Sequence, residues 1–213
     1  MNLGLQEMVS KLRQSDYLKS KQVEQAMLAI DRANFVPPEY REFAYLDRAL
    51  SIGHGQTISA PGIVSFMLES MDIKTGMKIL EIGTGSGYNA ALLSHLAGAK
   101  GRVISIEIVP EVFKLGKENI AKVEHILQKN LTLLCIDGSN GYPEKAPYDR
   151  IIVTAALQSM ESIYVFISQL KEDGKLIAPV SNGSGQDLVL YDNNTKTSNK
   201  ILPVIFVSLT RHS

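Results

Sequence analysis

The sequence predicts an α/β fold with a doubly wound, mostly parallel sheet, preceded by helices and closed by an antiparallel strand pair. Short apolar runs alternate with segments of helical periodicity up to about residue 180, which is typical of such a sheet. A glycine-rich turn joins one apolar run to the next helix, as in ligand-binding loops of this fold class. Two later apolar runs flank the polar stretch 192–200 and predict the antiparallel pair.

The N-terminal part of the chain is predicted to be helical. Residues 3–14 and 21–32 show apolar positions at helical spacing, and the second helix must end before Pro37 and Pro38. Residues 40–50 mix aromatic and charged side chains, which indicates a lid packed over the sheet.

A glycine-flanked segment, residues 51–61, is expected to be a flexible loop that leads into another helix. Ser59 precedes this helix, and Pro61 fits its first turn. Ser59 is therefore a candidate N-cap, and the residues alone do not give it a further role.

The remaining elements follow from apolar runs and from helix start and stop signals. Predicted strands cover 78–82, 102–106, 131–136, 148–154, 174–179, 187–191 and 204–207, and predicted helices cover 88–97, 110–128 and 159–170.

Length and composition limit the class of protein. The 213 residues fit one domain, 1–213, in which 1–60 would form a helical lid or substrate segment and 61–213 the cofactor-binding core. Acidic and basic residues balance at 22 each without a basic stripe, which argues against nucleic acid binding.

No apolar run approaches the ~18 residues of a membrane span, and the N-terminus does not resemble a signal peptide. The single cysteine, Cys135, lies in an apolar run, where we expect it to be buried, and it suits a reducing cytoplasm.

The glycine-rich turn carries the strongest ligand signal. Its third glycine, Gly87, comes one residue too early for the G-x-G-x-x-G dinucleotide pattern. About twenty residues later, Glu107 ends the next strand, where a carboxylate suits the two hydroxyls of a ribose. Asp137 ends a third strand, where it either accepts from an adenine amino group or forms an ordinary Asp-Gly turn. The E-x-G-x-G-x-G form together with Glu107 resembles the S-adenosylmethionine loop of class I methyltransferases.

Over about residues 29–210 the sequence resembles the protein-L-isoaspartate (D-aspartate) O-methyltransferase family. The resemblance is carried by G-H-G-Q-T-I-S-A-P at 53–61, the loop at 80–88, D-G-S at 137–139, G-Y-P at 141–143 and A-P-Y-D at 146–149. It implies a Rossmann-like class I methyltransferase, with S-adenosyl-L-methionine as cofactor and S-adenosyl-L-homocysteine as product. It also implies repair of age-damaged proteins or peptides that contain isoaspartate.

The same resemblance implies the site residues. Ser59 would be the active-site residue, and substrate contacts would fall on Ser59, Gly62 and Thr210. Cofactor contacts would fall on Thr57, Ile58, Glu81, Gly83, Thr84, Gly85, Ser86, Gly87, Glu107, Asp137 and Gly138.

The chain departs from the family pattern at three places near these segments. Gly62 replaces a usual histidine, Leu157 stands where proline commonly follows T-A-A, and Ser208 interrupts the closing F-V-P-L. These departures bear on the shape of the peptide cleft rather than on the cofactor loop.

The sequence shows no catalytic triad, paired acids or metal cluster. A carboxylate substrate with a pKa near 4 is already ionised, so positioning is sufficient for methyl transfer. Three alternatives remain open: a nicotinamide oxidoreductase, which the glycine spacing disfavours, a non-catalytic S-adenosylmethionine-binding protein, and a carboxyl methyltransferase acting on another acid.

Overall fold

The computed structural model describes residues 2–211. The α-helices are α1 (Leu3–Gln14), α2 (Lys21–Ala29), α3 (Pro61–Met71), α4 (Tyr88–Ala97), α5 (Pro110–Lys122) and α6 (Tyr164–Ile167). The strands are β1 (Leu50–Gly53), β2 (Gln56–Ile58), β3 (Lys78–Ile82), β4 (Arg102–Glu107), β5 (Leu131–Cys135), β6 (Tyr148–Val153), β7 (Leu170–Ser181), β8 (Gln186–Asp192) and β9 (Thr197–Val204). Short 3₁₀ turns lie at Arg32–Phe35, Pro38–Phe43, Glu124–Ile126, Pro143–Lys145 and Met160–Ile163.

The predicted sheet is confirmed. Seven strands are ordered β5-β4-β3-β6-β7-β8-β9, with parallel pairing from β5 to β7 and antiparallel pairing of β8 with both neighbours. The chain starts this sheet at its centre, builds outward through β4 and β5, and then returns to the other side of β3. Such a reversal of strand order opens a crevice at the carboxyl ends of the central strands, where ligands bind in folds of this class.

The apolar core lies on both faces of the sheet, and alternate residues of β3 face opposite sides. Ile79 packs with the helical cluster on one face, whereas Leu80 and Ile82 pack with the cluster on the other. Leu5 of α1 and Met27 of α2 belong to the same cluster as Ile79. The N-terminal helices pack on α3 and α4 and share the apolar core of this face.

Three predicted helices are shorter than expected. After α2, the Asp31 side chain accepts a hydrogen bond from the Ala33 N–H, which starts a separate 3₁₀ turn. After α5, Val123 is buried and its N–H bonds to the Ile120 carbonyl, so the helix tightens and ends. The predicted helix 159–170 is limited to a 3₁₀ turn and the short α6, because Leu170 already pairs with Tyr148 in the sheet.

The strand predictions were wrong at the C-terminal edge and in the 51–61 segment. The last strand is Thr197–Val204 instead of 204–207, because its first half is polar and exposed at the sheet edge and lacks an apolar signal. The expected flexible loop contains the β1–β2 hairpin, whose turn is made by Gly53, His54 and Gly55, all with positive φ.

Cys135 is exposed, so its predicted burial was wrong. It ends β5, the outermost strand, which has the β4 strand as its single neighbour in the sheet. Among residues 2–211, no helix has the length and apolar character needed to cross a membrane.

Candidate active site

An open cleft lies at the carboxyl ends of β3, β4 and β6. Its other walls are the β1–β2 hairpin, the start of α3 and the segment 204–210. The structure brings together in its lining most of the residues proposed from sequence: Thr57, Ile58, Ser59, Gly83, Thr84, Gly85, Ser86, Glu107, Gly138 and Thr210. Four others, Gly62, Glu81, Gly87 and Asp137, lie outside this lining.

The glycine loop is fixed by its own backbone. The N–H groups of Gly83 and Thr84 both donate to the Ile106 carbonyl of β4, at 2.8 and 3.0 Å. Gly85 has a φ of +53°, which disfavours most side chains, and a Cβ there would point into the space between the loop and the hairpin. A ligand can therefore approach the main chain of the loop closely, as an S-adenosylmethionine site requires.

Glu107 ties the glycine loop to β4. One carboxylate oxygen accepts from the Gly85 N–H at 2.9 Å, and the other accepts from the N–H groups of Ile108 and Val109 at 3.0 and 3.1 Å. The side chain is buried yet lines the cleft. A carboxylate offers about four acceptor positions, so Glu107 keeps capacity for a ligand hydroxyl. This donor and acceptor pattern fits the ribose of the predicted cofactor.

Gly87 and Asp137 have visible structural roles. A Cβ on Gly87 would lie 2.9 Å from the Gly116 carbonyl oxygen, so this glycine allows the loop to pack against α5. Asp137 accepts a hydrogen bond from the Ser139 N–H at 2.8 Å, the geometry of an Asp-Gly turn. The adjacent Gly138 lines the cleft, whereas contact between Asp137 and adenine stays a prediction.

Glu81 lies behind the glycine loop and is fully buried. The Asn89 side chain donates to it at 2.7 Å, and the Ser105 hydroxyl donates to its other oxygen. Ser105 in turn is hydrogen-bonded to the Thr84 hydroxyl at 2.6 Å. Burial raises the pKa of Glu81 to about 7, the two hydrogen bonds oppose this rise, and the negative charge of Glu107 adds to it. Glu81 therefore supports the loop through Thr84 and Asn89.

Ser59 lines the cleft and does not cap α3, so the predicted cap was wrong. The N-cap is Ala60, and the Gly62 N–H is satisfied by the Asp47 carboxylate at 2.7 Å. A Cβ on Gly62 would lie 2.7 Å from that carboxylate, so glycine permits this contact. Within residues 2–211, the Ser59 hydroxyl has no hydrogen-bond partner and is available to a ligand in the cleft.

Sequence reasoning missed several residues of the cleft. The Thr154 hydroxyl lies 2.7 Å from the Gly83 carbonyl oxygen and 2.9 Å from that of Ile82. Its position at the end of a predicted strand was a usable signal. Tyr88 contributes to the cleft lining, while its hydroxyl is buried and has no hydrogen-bond partner in the described part of the chain. Nothing in the local sequence distinguished this tyrosine from an ordinary first residue of a helix.

Comparison with known proteins decides the family. Residues 4–213 match the family described as Protein-L-isoaspartate(D-aspartate) O-methyltransferase. A protein-L-isoaspartate O-methyltransferase from Ignicoccus hospitalis is 41% identical over 206 residues, which are 95% of each chain. The chain belongs to the protein-L-isoaspartate O-methyltransferase family. A relative of the same name from Pyrococcus horikoshii is 45% identical over 174 residues, 82% of this chain and 76% of that one.

A solved structure supports the same family assignment. The beta-aspartate methyltransferase of Plasmodium falciparum, in complex with S-adenosyl-L-homocysteine, has a TM-score of 0.86 and 25% sequence identity. The match covers 97% of this chain and 98% of that one. These comparisons confirm the sequence-based predictions of the family, of a class I methyltransferase fold and of S-adenosylmethionine as cofactor.

The buried Glu81 makes the pH dependence of stability testable. Its pKa rises from 4.5 to about 7 on folding, so the folded protein binds more protons than the unfolded chain between these values. The free energy of unfolding should therefore fall as pH rises through this window, by on the order of 3 kcal/mol from this group. Glu81→Gln should remove that slope.

The measurement is urea unfolding of the wild type and Glu81→Gln from about pH 5 to about pH 8. Glu111→Gln, a change at an exposed acid on α5, is the matched control and should follow the wild type. Parallel curves for the wild type and Glu81→Gln would contradict this role of Glu81.

Proposed function

We propose that the protein transfers a methyl group from S-adenosylmethionine to the free carboxylate of L-isoaspartyl residues in damaged proteins or peptides. The observation that carries this proposal is the free Ser59 hydroxyl in the same cleft as the glycine loop and Glu107. Ser59 belongs to the segment that resembles this family rather than methyltransferases in general. The names of the relatives support the same substrate class.

The chemistry needs little from acid or base groups of the protein. S-adenosylmethionine, when bound, supplies a methyl group activated by its sulfonium charge. The substrate carboxylate has an ordinary pKa near 4 and is ionised at neutral pH without a general base. The chain must therefore hold this carboxylate in line, which Ser59 does by donating a hydrogen bond, and must exclude water from the cleft.

The residues that would hold the cofactor lie on both walls of the cleft. We assign Glu107 to the ribose hydroxyls, and the loop 83–87 to close backbone contact with the ligand. Thr57 and Ile58 face the loop from the hairpin, and Gly138, beyond β5, packs closely on Ile82 and Ile106 while lining the cleft. Glu81 acts from behind the loop, through Thr84 and Asn89, without touching the ligand.

The segment 204–210 would contact the peptide. Both backbone groups of Phe206 are held by the Gln186 side chain, at 2.7 and 3.0 Å, and the Val207 carbonyl accepts from the Ala156 N–H. The Ile205 side chain is 97% exposed at the rim, where an extended substrate could cover it. This fixed wall, which also presents Thr210, supports the binding of a protein or peptide substrate.

The three departures from the family pattern differ in their distance from the cleft. Leu157 is buried, and its backbone pairs with Pro179 and Ser181, outside the lining. Gly62 faces Asp47, as described above. Ser208 does line the cleft. It is therefore the departure that bears on substrate choice, and carboxyl methylation of another acid is the alternative function.

We propose a cytoplasmic location as well. The exposed thiol of Cys135 supports it, because a reducing compartment keeps such a group free.

Glu107→Ala should weaken binding of S-adenosylhomocysteine. The variant loses an acceptor for the ribose, a hydrogen bond to a charged group worth about 1.5–3 kcal/mol. Calorimetric titration should show a rise in Kd of about ten- to hundredfold. Glu111→Ala, an exposed acid just beyond β4, should bind as the wild type does. Unchanged affinity in folded Glu107→Ala would remove Glu107 from the site.

The wild type should methylate an isoaspartyl peptide and leave the matched aspartyl peptide nearly untouched. The two isomers place the carboxylate differently relative to the main chain, and a fixed cleft can align one of them. The assay follows base-labile methyl ester from labelled S-adenosylmethionine, with a D-aspartyl peptide as a third substrate. Equal rates on the isoaspartyl and aspartyl peptides would favour the alternative acid, and cofactor binding without any ester would indicate a non-catalytic protein.

Ser59→Ala should lower kcat/KM for the isoaspartyl peptide by about ten- to hundredfold, because it removes one hydrogen bond to the carboxylate. Since Ser59 does not cap α3, the melting temperature should change little, and cofactor affinity should be retained. Ser51→Ala, at an exposed serine of β1, is the control. Wild-type kcat/KM in Ser59→Ala would exclude Ser59 as the group that orients the substrate.

A further inference from the structure

Arg32 is a buried cation whose hydrogen-bond partners are all neutral. Its side chain is fully buried, and it donates to the carbonyl oxygens of Ala44, Arg48 and Ser59. Within residues 2–211, no carboxylate forms an ion pair with it. Burial lowers the pKa of Arg32 to about 10, so the group stays charged at neutral pH. Burying a charge lowers stability unless the charge is well bonded. The position of Arg32 beside the cleft therefore points to a role there.

The three carbonyls belong to different segments of the chain, and of these residues Ser59 lines the cleft. Ala44 ends the 3₁₀ turn Pro38–Phe43, Arg48 lies just before β1, and Ser59 follows β2. The bond to the Ser59 carbonyl is 3.1 Å long and that to Arg48 is 3.2 Å. A planar guanidinium can bond several acceptors in fixed directions, which a lysine ammonium does not reproduce. Arg32 therefore fixes the backbone of Ser59 relative to the segment 44–48.

Asp47 holds the other side of the same turn. Its carboxylate accepts from the Gly62 N–H at 2.7 Å, at the start of α3. The favourable interaction of an acid with the N-terminus of a helix adds to this bond. The four residues Ser59 to Gly62 are thus bonded at both ends to side chains from the N-terminal segment.

We propose that Arg32 and Asp47 form a clamp that positions Ser59 for methyl transfer. Arg32 does not line the cleft, so its role is positioning through the Ser59 backbone. The clamp fixes the backbone position from which the Ser59 hydroxyl extends, and a displacement of about 1 Å at such a group can cost up to ~100-fold in rate. This inference rests on the function proposed above, in which Ser59 orients the substrate carboxylate.

A purely structural role for Arg32 predicts different behaviour, and the chain offers a matched control. Arg150 is also buried and also bonds backbone carbonyls, including those of Met71 and Asp72 at the far end of α3. This helix of 11 residues spans roughly 16 Å. Arg150 therefore resembles Arg32 in burial and bonding but is remote from Ser59 and from the cleft lining.

The experiment compares Arg32→Lys with Arg150→Lys in stability, in Kd for S-adenosylhomocysteine and in steady-state kinetics on the isoaspartyl peptide. Both variants should melt at lower temperature. Arg32→Lys alone should lower kcat/KM, by about ten- to hundredfold per folded molecule, as expected for a misplaced orienting group. The Kd should rise by less than about fivefold in Arg32→Lys, because the glycine loop and Glu107 are unchanged and only the contacts of Thr57 and Ile58 lie in the loosened segment. It should stay unchanged in Arg150→Lys.

A double-mutant cycle tests whether Arg32 acts through Ser59. In a Ser59→Ala background, Arg32→Lys should lower kcat/KM by less than about threefold, because the orienting hydroxyl is already absent. A full additional loss would show that Arg32 affects the reaction by another route and would overturn the clamp. Equal kinetic effects of Arg32→Lys and Arg150→Lys would overturn it as well.

Two further measurements keep the test decisive if Arg32→Lys does not fold or the wild type proves inactive on isoaspartate. Asp47→Ala, at an exposed residue, removes the second half of the clamp and should lower kcat/KM with little loss of stability. Amide hydrogen exchange of 56–63 should become faster in Asp47→Ala and Arg32→Lys, and remain unchanged in Arg150→Lys. Unchanged exchange in Arg32→Lys and Asp47→Ala would contradict the clamp. If exchange is faster in these variants but the wild type does not methylate the isoaspartyl peptide, the clamp stands and the proposed function is refuted.

Discussion

The hydrogen bond from the Gly85 N–H to the Glu107 carboxylate is the constraint on which the cleft depends. It joins the turn after β3 to the end of β4, and the same carboxylate holds the first two amides beyond β4. One acid therefore fixes the shapes of two neighbouring connections. These hydrogen bonds within the protein hold the loop in shape, which reduces the ordering cost that binding would otherwise carry.

Polar groups are buried behind both walls of the cleft, and each supports the wall in front of it. Glu81 supports the glycine loop through two hydroxyls and an amide, whereas Arg32 supports the opposite wall through three carbonyls. Burial of such groups is expensive unless their hydrogen bonds are satisfied. Both buried groups lie next to the same cleft, which is consistent with a reaction that depends on the positions of the groups around it.

The sequence was sufficient where one local signal decided the structure. The apolar run and glycine turn around Gly85 predicted strand, loop and helix correctly, because both the backbone and the core favour that arrangement. It failed where distant residues decided: Asp47 replaced Ser59 as the partner of the first free amide of α3. The role of Arg32 was equally hidden, since its three partners are backbone atoms far along the chain and backbone carbonyls leave no pattern in a sequence. The polar half of β9 lacked any apolar periodicity to mark it.

The exposed position of Cys135 has a practical consequence. The chain contains one cysteine, and it ends β5 three positions before Gly138, which lines the cleft. A thiol-reactive fluorophore would therefore attach at a single place without removal of other cysteines. Its emission would respond to changes beside the cleft rather than to the molecule as a whole. Ligand binding can therefore be followed by fluorescence titration of the labelled chain without any mutation.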